Sequence, residues 1–287
     1  MKALIDGDVI VYWAANAMQT NEYDILNKKG EVLNTQDSKR PANSSLASLQ
    51  EFSDEPMEIS PGRVVLEPWR KCEEYVDNFI TKIVKDAKCD DFEVHLSGKT
   101  NFRKKVAVTK PYKGNRSGER PYYYLKVRDY LEEKYKASIS DNEEADDTLA
   151  IAQTEDLDNT VLCTIDKDLW MVEGAKYDFK REESSYVTAY DGIRNFQYQM
   201  MTGDRVDNIQ GVPKVGEVKA HRLLDANEDV DGAWQSIAEM YKTAYVSNYK
   251  TVMLEMGRLL WMRLEVGQMW ELPNVLNNVN IKEKANG

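Results

Sequence analysis

The chain has 287 residues, 42% of them hydrophobic and six of them tryptophan, so it can build a sizeable core and is not a disordered polymer. Its formal net charge of -11 is the opposite of the basic footprint usual in nucleic-acid-binding proteins, and no apolar run reaches membrane-spanning length. Three cysteines (Cys72, Cys89 and Cys163), odd in number and without metal-ligand spacing, point to reduced thiols in a cytosol; a cytoplasmic monomer with no membrane partner is expected.

In chain order, Ala3 to Asp6 is apolar and strand-like and closes on Asp6-Gly7-Asp8; Val9 to Met18 has a helical or mixed pattern. Residues 27–67 are rich in Asn, Ser, Pro and Glu with few periodic apolar positions, which predicts a loop or insertion. From Pro68 to Lys88, Trp69, Cys72, Val76, Phe79, Ile80 and Ile83 recur at helical spacing and predict an amphipathic helix. Phe92 to Leu96 reads as a strand. Between Lys99 and Lys136 twelve Lys/Arg face four acids, a local +8 that leaves -19 on the rest. Such a band on an acidic body suits a phosphate backbone crossing one face, and the tyrosines inside it (Tyr112, Tyr122 to Tyr124) are of a type that stacks on bases.

Pro121 suits the first turn of a helix to about Tyr135. A strand at Ala137 to Ser140, a helix from Glu143 to Thr154 and a strand at Thr160 to Ile165 follow. Strand-like Lys176 to Phe179 and Tyr186 to Ala189 come next, and everything after Asp191 reads helical. Strand–helix alternation predicts an α/β fold with a largely parallel sheet flanked by helices, then a helical C-terminal part. The division expected is 1–195 and 196–287.

The acids lie where such a sheet binds ligands. Asp6, the group Glu144, Asp146 and Asp147, and the pair Asp166 and Asp168 each follow a predicted strand, so the carboxyl edge would gather them. Crowded carboxylates repel unless a cation offsets them, and hard ions with oxygen ligands, Mg²⁺ or Mn²⁺, fit. Only His95 and His221 are present, which disfavours zinc or a histidine triad. Plainer roles exist for single residues: Ser140 with Glu143, or Asp141 with Glu144, as a capping box, and Asp168 as the cap of a turn over Leu169 to Val172. Further on, Asp204 and Asp207 precede a turn, Gly211-Val-Pro-Lys-Val-Gly216, that opens a helix carrying Lys219, His221 and Arg222. Glycines and a helix N-terminus together make a cradle for phosphate.

These residues resemble the flap endonuclease/5′→3′ exonuclease superfamily, especially bacteriophage 5′-nucleases and the 5′-nuclease domain of bacterial DNA polymerase I. The likeness runs from residue 3 to about 225 through LIDGD (Leu4 to Asp8), Phe102-Arg103, Tyr112-Lys-Gly-Asn-Arg116, Glu144-Ala-Asp-Asp147, Thr164-Ile-Asp-Lys-Asp-Leu169 and Gly203 to Ala220. It implies a PIN-like nuclease core and a helix–three-turn–helix motif. The activity implied is metal-dependent hydrolysis of DNA or RNA/DNA at 5′ ends, flaps or nicks, in phage replication, primer removal or DNA degradation. Carried over, Asp6, Glu144, Asp146, Asp147, Asp166, Asp168, Asp204 and Asp207 would surround two Mg²⁺ or Mn²⁺ ions. Lys113 and Arg116 would grip the reacting phosphate, with Asp166 and Asp168 as the other catalytic groups. Arg103 and Tyr112 would contact the nucleic acid, while Gly211, Val212, Lys214, Val215, Gly216 and Lys219 would hold the duplex, with K⁺ at that turn.

One departure stands out. The superfamily usually has an aspartate at the end of the second strand, where this chain has Ser97-Gly98, and Asp8 is not generally a ligand there. Two other classes share parts of the pattern. A haloacid-dehalogenase-type phosphatase also opens with Asp-x-Asp after a strand, and a non-catalytic junction-binding protein would explain Ser97.

Overall fold

The computed structural model describes residues 1–276 apart from 54 and 117. Its elements begin with β1 (Lys2–Asp6), α1 (Gly7–Ala17), β2 (Gln19–Leu26), β3 (Val32–Gln36), α2 (Lys39–Gln50), β4 (Glu58–Ile59), β5 (Arg63–Leu66) and α3 (Trp69–Asp86). They continue with β6 (Asp91–Leu96), α4 (Arg103–Val106), α5 (Tyr124–Tyr135), β7 (Ser138–Ile139), α6 (Ala145–Glu155), β8 (Thr160–Cys163) and a 3-10 turn at Lys167–Met171. The last third holds β9 (Gly174–Asp178), β10 (Glu183–Val187), α7 (Ala189–Thr202), β11 (Gly203–Asp204), β12 (Ile209–Gln210), α8 (Glu217–Ala226), α9 (Val230–Tyr245) and α10 (Tyr249–Leu260). The backbone gathers into two compact units, one of residues 1–9, 81–118 and 131 onward, the other of 10–80 and 119–130.

In the first unit the strands align as β10-β9-β8-β1-β6-β7, parallel throughout except for β9 against β10. β8 (Thr-Val-Leu-Cys) is buried along its whole length, as expected of a strand covered on both faces. Because β1, β6, β7 and β8 run the same way, their C-terminal ends share one edge. The predicted parallel α/β core is therefore present, and residues 196–276, expected as a separate region, belong to the same unit as the sheet. Phe196 anchors the C-terminal helices, meeting Trp234, Trp261 and Trp270 edge-on at 5.7, 4.9 and 5.5 Å between ring centres. This part is less helical than expected. β11 and β12 pair after α7, and residues 261–273 leave the helix to lay the Trp261 and Trp270 rings over the core. Gly257 leaves space for the Trp270 ring, where any Cβ would collide.

In the second unit the stretch 27–67, expected as a loop or insertion, carries strands and a helix. β2 pairs antiparallel with β3, β4 and β5, and α2 lies against β2 and β3. Arg63 ties strands together by pairing with Glu22 at 2.7 Å and with Asp24, which also accepts the Thr35 hydroxyl at 2.6 Å. α3 forms as predicted. α5 starts at Tyr124 rather than Pro121, whose carbonyl closes a turn onto the Tyr124 amide.

Candidate functional site

Asp6 ends β1, and its neighbours at the same sheet edge are Ser97 after β6 and the segment Thr164 to Asp168 after β8. The buried Asp6 carboxylate accepts the Val9 amide at 3.2 Å and the Thr164 hydroxyl at 2.9 Å. Asp166 caps the 3-10 turn by accepting the Asp168 amide at 2.8 Å, so the cap is Asp166 and not Asp168 as expected. Glu144 is the N-cap of α6 and forms the capping box with Asp147; Ser140 instead bonds the Glu143 carbonyl. Here the acids of the motif supply the cap themselves.

Electrostatics show how closely the group is drawn together. Burial, then the charge of Asp8, pushes Asp6 up to about 7. Burial, then Asp166 and Asp204, pushes Asp168 up to about 7 as well. Asp146 is raised well above the carboxylate range by burial and by Asp166, Asp6 and Glu144, and burial raises Asp166. Thus Asp6, Asp146, Asp166 and Asp168 share one field although they come from three segments of the chain.

Cations stand among these acids. Lys113 pairs with Glu144 and lies 3.5 Å from Asp207, while Arg116 meets Asp207 at 2.5 Å. The left-handed backbone at Lys113 (φ 55°) and its amide bond to the Asp207 carbonyl fix this loop against the segment after β11. Lys167, which the sequence reading passed over, bridges Asp204 at 2.8 Å and Asp168 at 3.9 Å. Gln199 was missed too. It projects from α7 and donates to Asp168 at 2.6 Å. Its position one helical turn before Gly203-Asp204 was the available signal.

Three expected roles change. Arg103 is fully buried and grips Asp147 through Nη1 at 2.5 Å and Nη2 at 2.8 Å, so neither side chain is open to nucleic acid or metal as it stands. Burial opposes the Asp147 charge, but Arg103 outweighs it and holds the carboxyl below its usual range. Tyr112 is also buried, with its hydroxyl 2.6 Å from Glu144 and 2.7 Å from Asp207, and presents no ring face for stacking. In the second unit Tyr124 is buried, Tyr123 bonds the Glu67 carbonyl and stands edge-on to Trp69, and Tyr122 is 69% exposed.

After α7 the chain pairs β11 with β12 and turns into α8. Gly203 (φ 68°) and Gly211 lie so close that a Cβ on either would strike the other's backbone. Gly211 and Val212 are therefore buried shape-formers, Val215 is half-buried, and Lys214, Gly216 and Lys219 are exposed. Gly216 is the N-cap of α8 and offers no side chain to its first amides. A cleft of about 390 Å³ beside the turn is lined by Lys110, Asn115, Asp204, Arg205 and the residues from Asn208 to Pro213.

Whether these residues suit a divalent ion can be tested on their chemistry. Among the described residues no three His, Cys, Asp or Glu groups are gathered around one point as an ion would hold them, and Lys113, Arg116 and Lys167 take up the intervening attraction. The donors are hard oxygens throughout. Gln199 Oε1 is buried beside Asp168 with no hydrogen-bond partner among the described residues, an acceptor that a cation or its water would satisfy. The donor set fits.

No protein-family profile and no curated protein sequence matches the chain. Among solved structures, the bacteriophage T5 D15 protein crystallised with metal ions is 14% identical, with 90% of this chain and 88% of that chain covered and a TM-score of 0.53. The T5 5′-exonuclease with bound zinc is 17% identical, with 92% and 88% covered and a TM-score of 0.49. The Rad2 catalytic core in complex with DNA is 10% identical, with 86% and 66% covered and a TM-score of 0.42. The chain thus shares its fold with the T5 D15 protein.

Proposed function

We propose that the chain is a structure-specific 5′-nuclease that hydrolyses phosphodiesters in DNA with divalent metal. The observation that carries this reading is the convergence of Asp6, Asp146, Asp166 and Asp168 in one electrostatic field, on a fold shared with the T5 D15 protein. Asp6, Glu144, Asp146, Asp166 and Asp168 would hold metal, with Asp204 and Asp207 completing the second part of the set. Two bound divalent ions supply activation of the attacking water and stabilisation of the leaving oxygen.

The chain's own residues do the rest. Thr164 and Gln199 orient Asp6 and Asp168 through single hydrogen bonds. Lys113 and Arg116, poised on Glu144 and Asp207, would pass to the reacting phosphate and neutralise its charge. Lys214, Lys219 and the amides after Gly216 would bind the duplex backbone beyond the cut, in the manner of a helix–three-turn–helix with its K⁺. Arg103, Asp147 and Tyr112 serve as the frame. A flap or nick junction is the substrate class favoured, because the cation-lined cleavage loop and the helix–turn–helix offer two separate phosphate contacts.

The test is cleavage of 5′-labelled flap, nicked and single-stranded substrates with Mg²⁺ and with EDTA, alongside the double variant Asp166→Asn/Asp168→Asn. Mg²⁺-dependent products, lost in the variant with DNA binding retained in Ca²⁺, are expected. Near-normal turnover by the folded double variant would reject the metal assignment.

A further inference from the structure

Glu255 stands on α10 and turns both carboxylate oxygens onto the start of the cleavage loop. Its Oε1 accepts the amides of Val108 and Thr109 at 2.8 and 2.7 Å, and its Oε2 accepts the Thr109 hydroxyl at 2.6 Å. Two successive amides aimed at one anion make a concave seat for it, and bonds to an ionised acceptor are stronger than bonds between neutral groups. The acid is buried, yet the backbone it holds is not: Val108, Thr109, Lys110 and Pro111 are all exposed. Little apolar packing therefore fixes this stretch, and the carboxylate does so in its place.

The far side of the loop is pinned elsewhere. Asn208 Nδ2 donates to the Pro111 carbonyl at 2.9 Å, the Lys113 amide to the Asp207 carbonyl at 2.9 Å, and Asn115 Nδ2 to the Arg205 carbonyl at 2.6 Å. Those three contacts go to the segment after β11, whereas Glu255 ties the entry of the loop to α10, the helix that also receives Arg103 at the Leu259 carbonyl. Lys113 lies four residues beyond Thr109, between the two sets of pins. A cation helps a reacting phosphate only when its approach is fixed, and a displacement of about 1 Å can cost a large part of the rate.

We propose that Glu255 is a positioning residue for cleavage: its carboxylate holds Val108 and Thr109 so that Lys113 and Arg116 meet the reacting phosphate. Glu255 acts through the loop and touches no substrate. This rests on the nuclease reading above.

The test compares E255A, E255Q, T109V, K113A and E255A/K113A with the parent, with urea denaturation as the check of folding. Hydrogen exchange at the Val108 and Thr109 amides reads the loop without activity, and should quicken in E255A. On a 5′-labelled flap with Mg²⁺, the single-turnover rate of E255A should fall about tenfold, with affinity in Ca²⁺ nearly unchanged. E255Q keeps an oxygen for both amides and should recover most of that loss. T109V removes only the hydroxyl contact and should slow cleavage about threefold, which keeps the test decisive if E255A folds poorly. In the K113A background E255A should cost less than about threefold, because the cation it positions is already gone. A cleaving parent matched in rate by E255A and T109V overturns this inference alone. So does an E255Q no better than E255A, or a full tenfold loss added to that of K113A, which would make Glu255 a general support of the fold. If the parent cleaves no 5′-labelled flap, nicked or single-stranded substrate with Mg²⁺, the nuclease reading fails and this inference with it.

Discussion

Arg103 donates to both oxygens of Asp147 and, through Nε and Nη2, to the carbonyls of Leu259 and Trp261 at 2.9 and 2.8 Å. Asp147 in turn accepts the Arg263 amide at 3.1 Å, and Arg263 pairs with Glu143 at 3.1 Å while lying 3.6 Å above the Phe102 ring. Two short segments, Phe102-Arg103 and the chain after α10, are thereby locked to the start of α6. Removing one member of a buried pair strands the other's charge, which costs more than the pair contributes. Arg103→Ala should therefore destabilise the protein by about 3–5 kcal/mol. Asp147→Leu combined with Arg103→Met should recover part of that loss by removing the stranded charge. Urea denaturation reads both. A loss below about 1 kcal/mol for Arg103→Ala would mean that the residue is not the buried anchor described here.

At the scale of elements, the parallel sheet and the acids at its edge were legible because β1 and β8 are short apolar runs that lead into Asp. Asp6 after Leu-Ile and Asp166 after Val-Leu-Cys-Thr-Ile carry that signal locally. The β2–β5 sheet was not legible. Its strands are polar, and its pairings, such as Gln19 with Leu66, join residues far apart, so no local period betrays them. The burial of Arg103 and Tyr112 was hidden for a similar reason: a basic or aromatic residue in a motif shows its type but not which way it faces. The turn before α8 was read correctly as a turn, yet only Lys214, Gly216 and Lys219 of its expected contacts lie open. Lys219 lies on the first turn of α8, with Nζ on the Lys214 carbonyl at 3.1 Å. Lys219→Ala should weaken duplex binding and lower the slope of log affinity against log salt by about one. Lys113→Ala should leave that slope nearly intact and slow single-turnover cleavage by about a hundredfold. Equal losses of affinity alone in both variants would mean that the turn and the cleavage loop do not divide the work.

For the molecule as a whole, the groups buried against their charge link stability to pH. Lys176, on β9, is 3% exposed, its Nζ has no hydrogen-bond partner among the described residues, and burial alone brings it from 10.5 down to about 7. Between pH 7 and 10.5 the unfolded chain keeps a proton that the folded chain has released, so stability rises with pH across that window. Below pH 7 both states hold the proton, and the full cost of a buried ammonium is present. Asp6 and Asp168 act with the opposite sign. Raised from 3.8 to about 7, they are protonated in the folded state and ionised in the unfolded one between these values, so stability falls with pH there. Together these shifts place a trough in the stability of the metal-free protein near neutral pH. Lys176→Met keeps the apolar stem of the side chain and removes the ammonium. The full displacement of Lys176 corresponds to a ceiling of about 5 kcal/mol, and water reaching the site in the open ensemble reduces it, so a gain of about 2 kcal/mol at pH 6 is expected. The same variant should lose the climb in stability between pH 7 and 10, with the fall between pH 4 and 7 retained. Urea denaturation in EDTA across pH 4 to 10 measures both limbs. A climb of undiminished size in Lys176→Met would show that the ammonium is not its source and that Lys176 reaches solvent or a partner in the folded protein.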